Sequence, residues 1–191
     1  MTLNLTALLA DQLDWHWNSQ LRPRLDGLTD EEYFWEPVDG CWNVRPRGTS
    51  TAAMQGGSGA FTIDFEFPEP VPAPVSTIAW RLGHVIVGCL GARVASHFGG
   101  LPPDDPPYDY MAFEYAGDAA TALAQLDEVY ARWRDGVRSL GAEALEKPAG
   151  EAEGPWAERS MAELVLHINR EVIHHGAEIA LLRDLFAHRQ R

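Results

Sequence analysis

The segment SMAELVLHINREVIHHGAEIALLRDLF, residues 160–186, decides how this chain folds. Met161, Val165, Ile168, Val172, His175, Ile179, Leu182 and Phe186 recur at alternating spacings of four and three, the pattern of a helix with one face in a core. Ser160 followed by Glu163 is a capping box that fixes where the helix begins. One seam position, His175, is therefore an imidazole. At about 100° per residue, Glu171 also falls within the arc of Leu164, Ile168, Val172 and Leu182, so a carboxylate points at the same core. A buried carboxylate is costly unless neutralised, and Glu171 and His175, at i and i+4, lie about 6 Å apart on one face. Two readings stay open: a hydrogen-bonded Glu–His pair, or two ligands of a divalent cation that needs a further ligand from a facing helix.

Three more long helices can be read outward from this one. Ala119, Leu123, Leu126, Tyr130, Trp133, Val137 and Leu140 repeat the same alternation. Leu9, Leu13, Trp17, Leu21 and Leu25 recur every four residues, with Pro23 expected to bend the last turn and Gly27 to stop it. The remaining helix, capped by Ser76 or Thr77 and running to about His97, is apolar on nearly every side and so belongs at the centre. It carries His84 on the side of Trp80, near Gly88 and Gly91, and His84 is the candidate third ligand. A capping box at Thr29 to Glu32 starts a short helix through Tyr33 and Phe34. Glu36 to Pro46 reads as turn and loop. Gly48 to Gly59 reads as a mobile surface loop with little packing. Phe61, Ile63, Phe65 and Phe67 alternate with polar residues as a short extended segment, ended by prolines 68, 70, 72 and 74. Leu101 to Tyr110 is a proline and aspartate loop that either shapes a pocket mouth or is solvated, and solvated is the reading preferred. The expectation is an all-α four-helix bundle, one domain over residues 1–191, with residues 48–75 as a loop insertion between the first and second main helices.

Composition narrows the function. The 191 residues include 15 basic and 28 acidic side chains, a net charge of −13, with no basic cluster to meet phosphate. Nucleic acid and anionic membrane surfaces are not expected partners. The longest unbroken apolar run, Val85 to Ala92, is short for a bilayer span. The first twenty residues lack Lys and Arg and carry Asp11 and Asp14, unlike a secretory signal, so a cytoplasmic protein is expected. Cys41 and Cys89 are distant in sequence and read as inert thiols. His167, one turn before Glu171, and Glu178, two turns after it, lie on the metal side of the last helix, where either could orient a ligand or brace one. His174 and His188 read as surface residues, His16 as packing between Trp15 and Trp17, and His97 as a cation at a helix C-terminus.

Trp80-Arg81-Leu82-Gly83-His84, followed by His167-Ile168-Asn169-Arg170-Glu171-Val172-Ile173-His174-His175, resembles the metal-site pattern of the DinB/YfiT-like superfamily. Leu25 to Tyr33, Trp35-Glu36-Pro37 and Trp42-Asn43-Val44 are similar to that family's region after its first helix. The resemblance implies a four-helix bundle, often dimeric, with metal ligands His84, Glu171 and His175. Many members have histidine where Glu171 stands; glutamate there is similar to the mycothiol-dependent maleylpyruvate isomerase branch, whose zinc is held by two histidines and one glutamate. That enzyme's additional C-terminal domain has no counterpart in this sequence, so the expectation is a thiol-dependent transferase or detoxification enzyme using zinc or nickel, with a small thiol and an electrophile as partners. A metal-dependent hydrolase and a non-catalytic metal-binding stress-response protein are the rival readings.

Overall fold

The computed structural model describes residues 3–99 and 108–189 and is predominantly helical. Helix α1 is α-helical over Leu5–His16, widens into a π-helical turn over Trp17–Leu21, and closes over Arg22–Arg24. The wide turn suits the sequence. In a regular helix a strict four-residue repeat drifts by about 40° per step, so Leu9 and Leu25 would end on different faces. One turn bonded from the Arg22 N–H to the Trp17 carbonyl takes up the drift, and Leu9, Leu13, Trp17, Leu21 and Leu25 are all buried. The bend expected at Pro23 is thus replaced by a distortion one turn upstream, on the side where the proline ring crowds the helix.

Helix α2 (Asp30–Tyr33) has the expected capping box, Thr29 and Glu32 each accepting from the other's backbone N–H. Strands β1 (Val44–Pro46), β2 (Met54–Gly56) and β3 (Phe61–Phe65) form an antiparallel sheet in the order β1-β3-β2, with Val44 and Gly56 both registered on Ile63. Two expectations are corrected here: the stretch read as turn and loop ends in β1, and the glycine-rich stretch read as an unpacked loop contains β2. Side-chain bonds hold it down, since Arg47 donates to the Gly57 and Gly59 carbonyls at 2.7 and 2.8 Å, and Ser58 to the Ala112 carbonyl at 2.6 Å. Strand β3 is covered on both sides, so Thr62 and Asp64 are as buried as Ile63, while Phe67 lies beyond the strand and is exposed. Asp64 is satisfied there by the Asn43 N–H at 3.0 Å, Arg45 Nε at 2.9 Å and the Ser50 hydroxyl. The all-α class therefore becomes a helical protein with a small sheet.

Helix α3 is α-helical over Ile78–His84, π-helical over Val85–Gly91 and α-helical again over Ala92–His97. Its cap is Thr77, whose hydroxyl accepts from the Trp80 N–H at 3.2 Å and donates to Asn43 at 2.8 Å, tying the helix start to β1. By length and composition Ile78–His97 is apolar enough to cross a membrane, but here most of it is buried as a core helix. Helices α4 (Ala119–Ser139) and α6 (Met161–Ala187) pack against both α1 and α3, and the short α5 (Ala142–Glu146) packs on α6. Trp17 stacks on Tyr130 with ring centroids 3.7 Å apart, and Asn169 Nδ2 donates to the Leu9 carbonyl at 2.8 Å. Most of the Leu101 to Tyr110 loop lies outside the described residues.

Arg183 on α6 grips Glu32 through two bonds of 3.0 and 3.2 Å, stapling α2 to the last helix. Burial pushes the Glu32 carboxyl up, but Arg183 and Thr29 outweigh it and hold it below its ordinary 4.5. Glu32→Gln is expected to cost about 2 kcal/mol, since two charge-assisted bonds weaken at once. A carboxylate held low stabilises the fold above its unfolded value and loses that contribution as pH falls through its folded one. Thermal melts should accordingly show the gap between wild type and variant closing as pH drops below about 4.5.

Candidate metal centre

His84 stands at the junction of the α- and π-helical parts of α3. The Trp80 ring stacks on it with centroids 5.5 Å apart, and the Trp80 indole is itself fixed by a 2.7 Å bond from Nε1 to the Asp64 carbonyl. Tyr110 Oη lies 2.6 Å from His84 Nδ1, so Nε2 is the ring nitrogen with no hydrogen bond among the described residues. Burial lowers the His84 imidazolium pKa to about 4, with the His175 ring and the Arg81 charge adding to the effect, so the ring is neutral at pH 7 with a lone pair to offer.

His175 approaches from α6, edge-on to His84 with ring centroids 4.6 Å apart. Its Nδ1 is 2.7 Å from Glu178 Oε2, and since a carboxylate only accepts, Nδ1 carries the proton and Nε2 keeps its lone pair. Nε2 faces Glu171, whose Oε2 is 3.6 Å away. Arg81 pairs with Glu178 and so anchors the carboxylate that fixes the His175 tautomer. Glu171 spans two histidines, its other oxygen lying 3.6 Å from His167 Nδ1, and it is only partly buried. The arc placed Glu171 toward the core; the structure puts it at the rim of the site. His167 is further out and half-exposed.

A donor read as inert joins the site. Cys89 Sγ and one nitrogen each of His84 and His175 lie within 4.8 Å of one another. His174, His175 and Glu178 make a second such group, but Arg81 already neutralises that carboxylate and would repel a cation there. A tetrahedral zinc site has ligand–ligand edges of roughly 3.3–3.7 Å, so no separation in the inner group need contract by more than about 1.5 Å, within reach of side-chain rotation. A cavity of about 420 Å³ opens on it, bordered by His84, Cys89, Tyr110, His167 and Glu171. A neighbouring cavity of about 410 Å³ shares Arg93 and His167 with it and adds Arg159, Arg170 and Trp156. His97, expected as a terminal cation, is instead buried against Glu153 at 2.9 Å. His16 Nε2 is buried without a partner beside Gly176.

Sequence reasoning missed Tyr110 and Cys89. The signal for Tyr110 was the glycine pair in an otherwise bulky helix: a Cβ on Gly88 would collide with the Tyr110 hydroxyl, and one on Gly91 with the Tyr108 ring. The loop read as solvated thus sends Tyr108 and Tyr110 back over α3 and into the cavity wall.

Two imidazoles, a thiol and a carboxylate converging between two helices define a helical protein with a candidate divalent-metal centre. The sequence profile of the DinB superfamily matches residues 12–179, and the chain belongs to that superfamily. Its members often bind metal. Comparisons with curated proteins and with solved structures returned no match.

Gly88→Ala separates the packing role from helix propensity. Alanine gains up to about 1 kcal/mol in a helix interior, while forcing Tyr110 aside costs about 1–3 kcal/mol. The expected net result is a lower melting temperature, and Gly88→Ala in a Tyr110→Ala background should recover part of the loss.

Proposed function

We propose that this protein is a divalent-metal-binding DinB bundle that uses His84, Glu171 and His175 as ligands and acts as a low-molecular-weight-thiol-dependent transferase of the mycothiol type. The observation that carries the reading is the approach of the His84 and His175 rings, with a nitrogen of each inside one 4.8 Å group, beside the Glu171 carboxylate and next to a cavity that His84 and Glu171 line. A bound Zn²⁺ or Ni²⁺ would supply a Lewis acid that favours the thiolate form of a co-substrate at neutral pH.

The chain's own residues do the rest. Glu178 holds the His175 proton on Nδ1, and Arg81 holds Glu178. Tyr110 and Trp80 fix the His84 ring plane. The −1 charge of Glu171 would offset part of the cation's charge, which gives a carboxylate beside two imidazoles a role. His167 stands at the cavity mouth, 3.6 Å from Glu171, where it can orient an entering group. In the neighbouring cavity Glu153 pairs with Arg93 and Glu163 with Arg159, which leaves Arg170, beside His167, to meet a carboxylate on a small-molecule electrophile or thiol. Thiol chemistry of this kind fits a reducing, cytoplasmic setting, where Cys41 and Cys89 stay free.

Elemental analysis of purified variants tests the ligand set. His84→Ala and His175→Ala are expected to lose bound metal, His174→Ala to retain it, and Glu171→Gln to bind at least tenfold more weakly. Retention in both His84→Ala and His175→Ala overturns the site. Turnover of an electrophile that needs both added thiol and metal supports the transferase reading; chelator-sensitive turnover without thiol points to hydrolysis instead.

A further inference from the structure

The π-helical winding of α3 does more than relieve packing, because it changes which residues share a face. His84 and Cys89 are five residues apart. In a regular α-helix that spacing leaves them about 140° apart, on nearly opposite sides. In a π turn of about 4.4 residues it brings them within about 50°. The whole segment Val85–Gly91, immediately after His84, is wound this way, and the Ala92 N–H closes it onto the Val87 carbonyl. Wide turns inside α-helices recur at functional sites for this reason.

Cys89 is 3% exposed and makes no hydrogen bond among the described residues, whereas the Cys41 thiol donates to the Val38 carbonyl at 3.1 Å. Its sulfur faces the two imidazoles, within 4.8 Å of both. We infer that Cys89 is a thiolate ligand of the same cation, so that His84, His175 and Cys89 form its inner triad and Glu171 is the labile fourth group.

This rests on the metal-centre reading and sharpens it. Glu171 lies at the rim and is shared with His167, so it can leave the cation and open a coordination position toward the cavity without the other three moving. Ligation exchanges the S–H bond for a sulfur–metal bond and releases one proton to solvent. A thiolate in the set favours borderline and soft cations such as Zn²⁺, Ni²⁺ or Co²⁺ over Mg²⁺ and Mn²⁺.

Cobalt substitution tests the assignment without relying on turnover. Co²⁺ added to the metal-free wild-type protein is expected to give visible d–d bands and a near-ultraviolet thiolate-to-cobalt charge-transfer band. Cys89→Ser and Cys89→Ala should keep the d–d bands, lose the charge-transfer band and bind Co²⁺ more than about tenfold more weakly, while Cys41→Ser should match wild type. If the wild-type protein shows d–d bands and no charge-transfer band, Cys89 is not a ligand and the centre of His84, Glu171 and His175 stands. If Co²⁺ and Zn²⁺ give no spectral change and are not retained, both readings fall. Should either Cys89 variant misfold by circular dichroism, sulfur scattering at the metal in X-ray absorption of the zinc-loaded wild type decides, its absence overturning the inference.

Discussion

Surrounding a helix on every side leaves its polar side chains only one another's neighbours to bond. Ile78–His97 is such a helix, and Arg81, His84 and Arg93 interrupt its apolar surface. Each is met by a group from elsewhere in the chain: Arg81 by Glu178, His84 by Tyr110 and the His175 ring, and Arg93 by Glu153 at 3.1 Å. Buried polar groups must be paired, so this requirement fixes how α6 and the segments on either side of α4 lie against α3. The candidate centre is the middle of these pairings, and its two imidazoles are the part that a cation would complete.

Much of this was legible in residue spacing. The 3-4 alternations of α4 and α6 correctly mark buried faces, because side chains as large as Trp133 and Val172 have room only inside. The capping boxes at Thr29 and Ser160 lie where the sequence puts them, since both halves of each motif are local. His84, Glu171 and His175 could be singled out as polar residues on apolar faces; the structure brings the two imidazoles together and leaves Glu171 beside His175, outside the group they form with Cys89.

What escaped notice depended on partners distant in sequence or on non-standard winding. The strands β1 and β2 are three residues each and take their pairing from β3, so neither carries a pattern of its own. Asp64 reads as a solvent-facing strand residue until Asn43, Arg45 and Ser50 are seen to converge on it. Cys89 reads as inert from its distance to Cys41 in sequence, and projection at about 100° per residue does not put it beside His84, because that assumption fails across Val85–Gly91. The same assumption makes the four-residue repeat of α1 look like a drifting stripe rather than a straight one.

A π turn holds one more residue than the α turn it replaces, so the register of α3 is set by its length as well as by its side chains. Removing one residue between Val85 and Gly91 would let the segment rewind as α-helix, and six residues at about 100° turn nearly as far as seven at about 82°, so His84 and Arg93 would keep their bearings. What changes is the face between them: a deletion at Leu90 would leave Cys89 five residues from His84 in a regular helix and turn it about 140° away. Over these seven residues the chain is sensitive to where its length changes rather than to exchanges of one aliphatic residue for another.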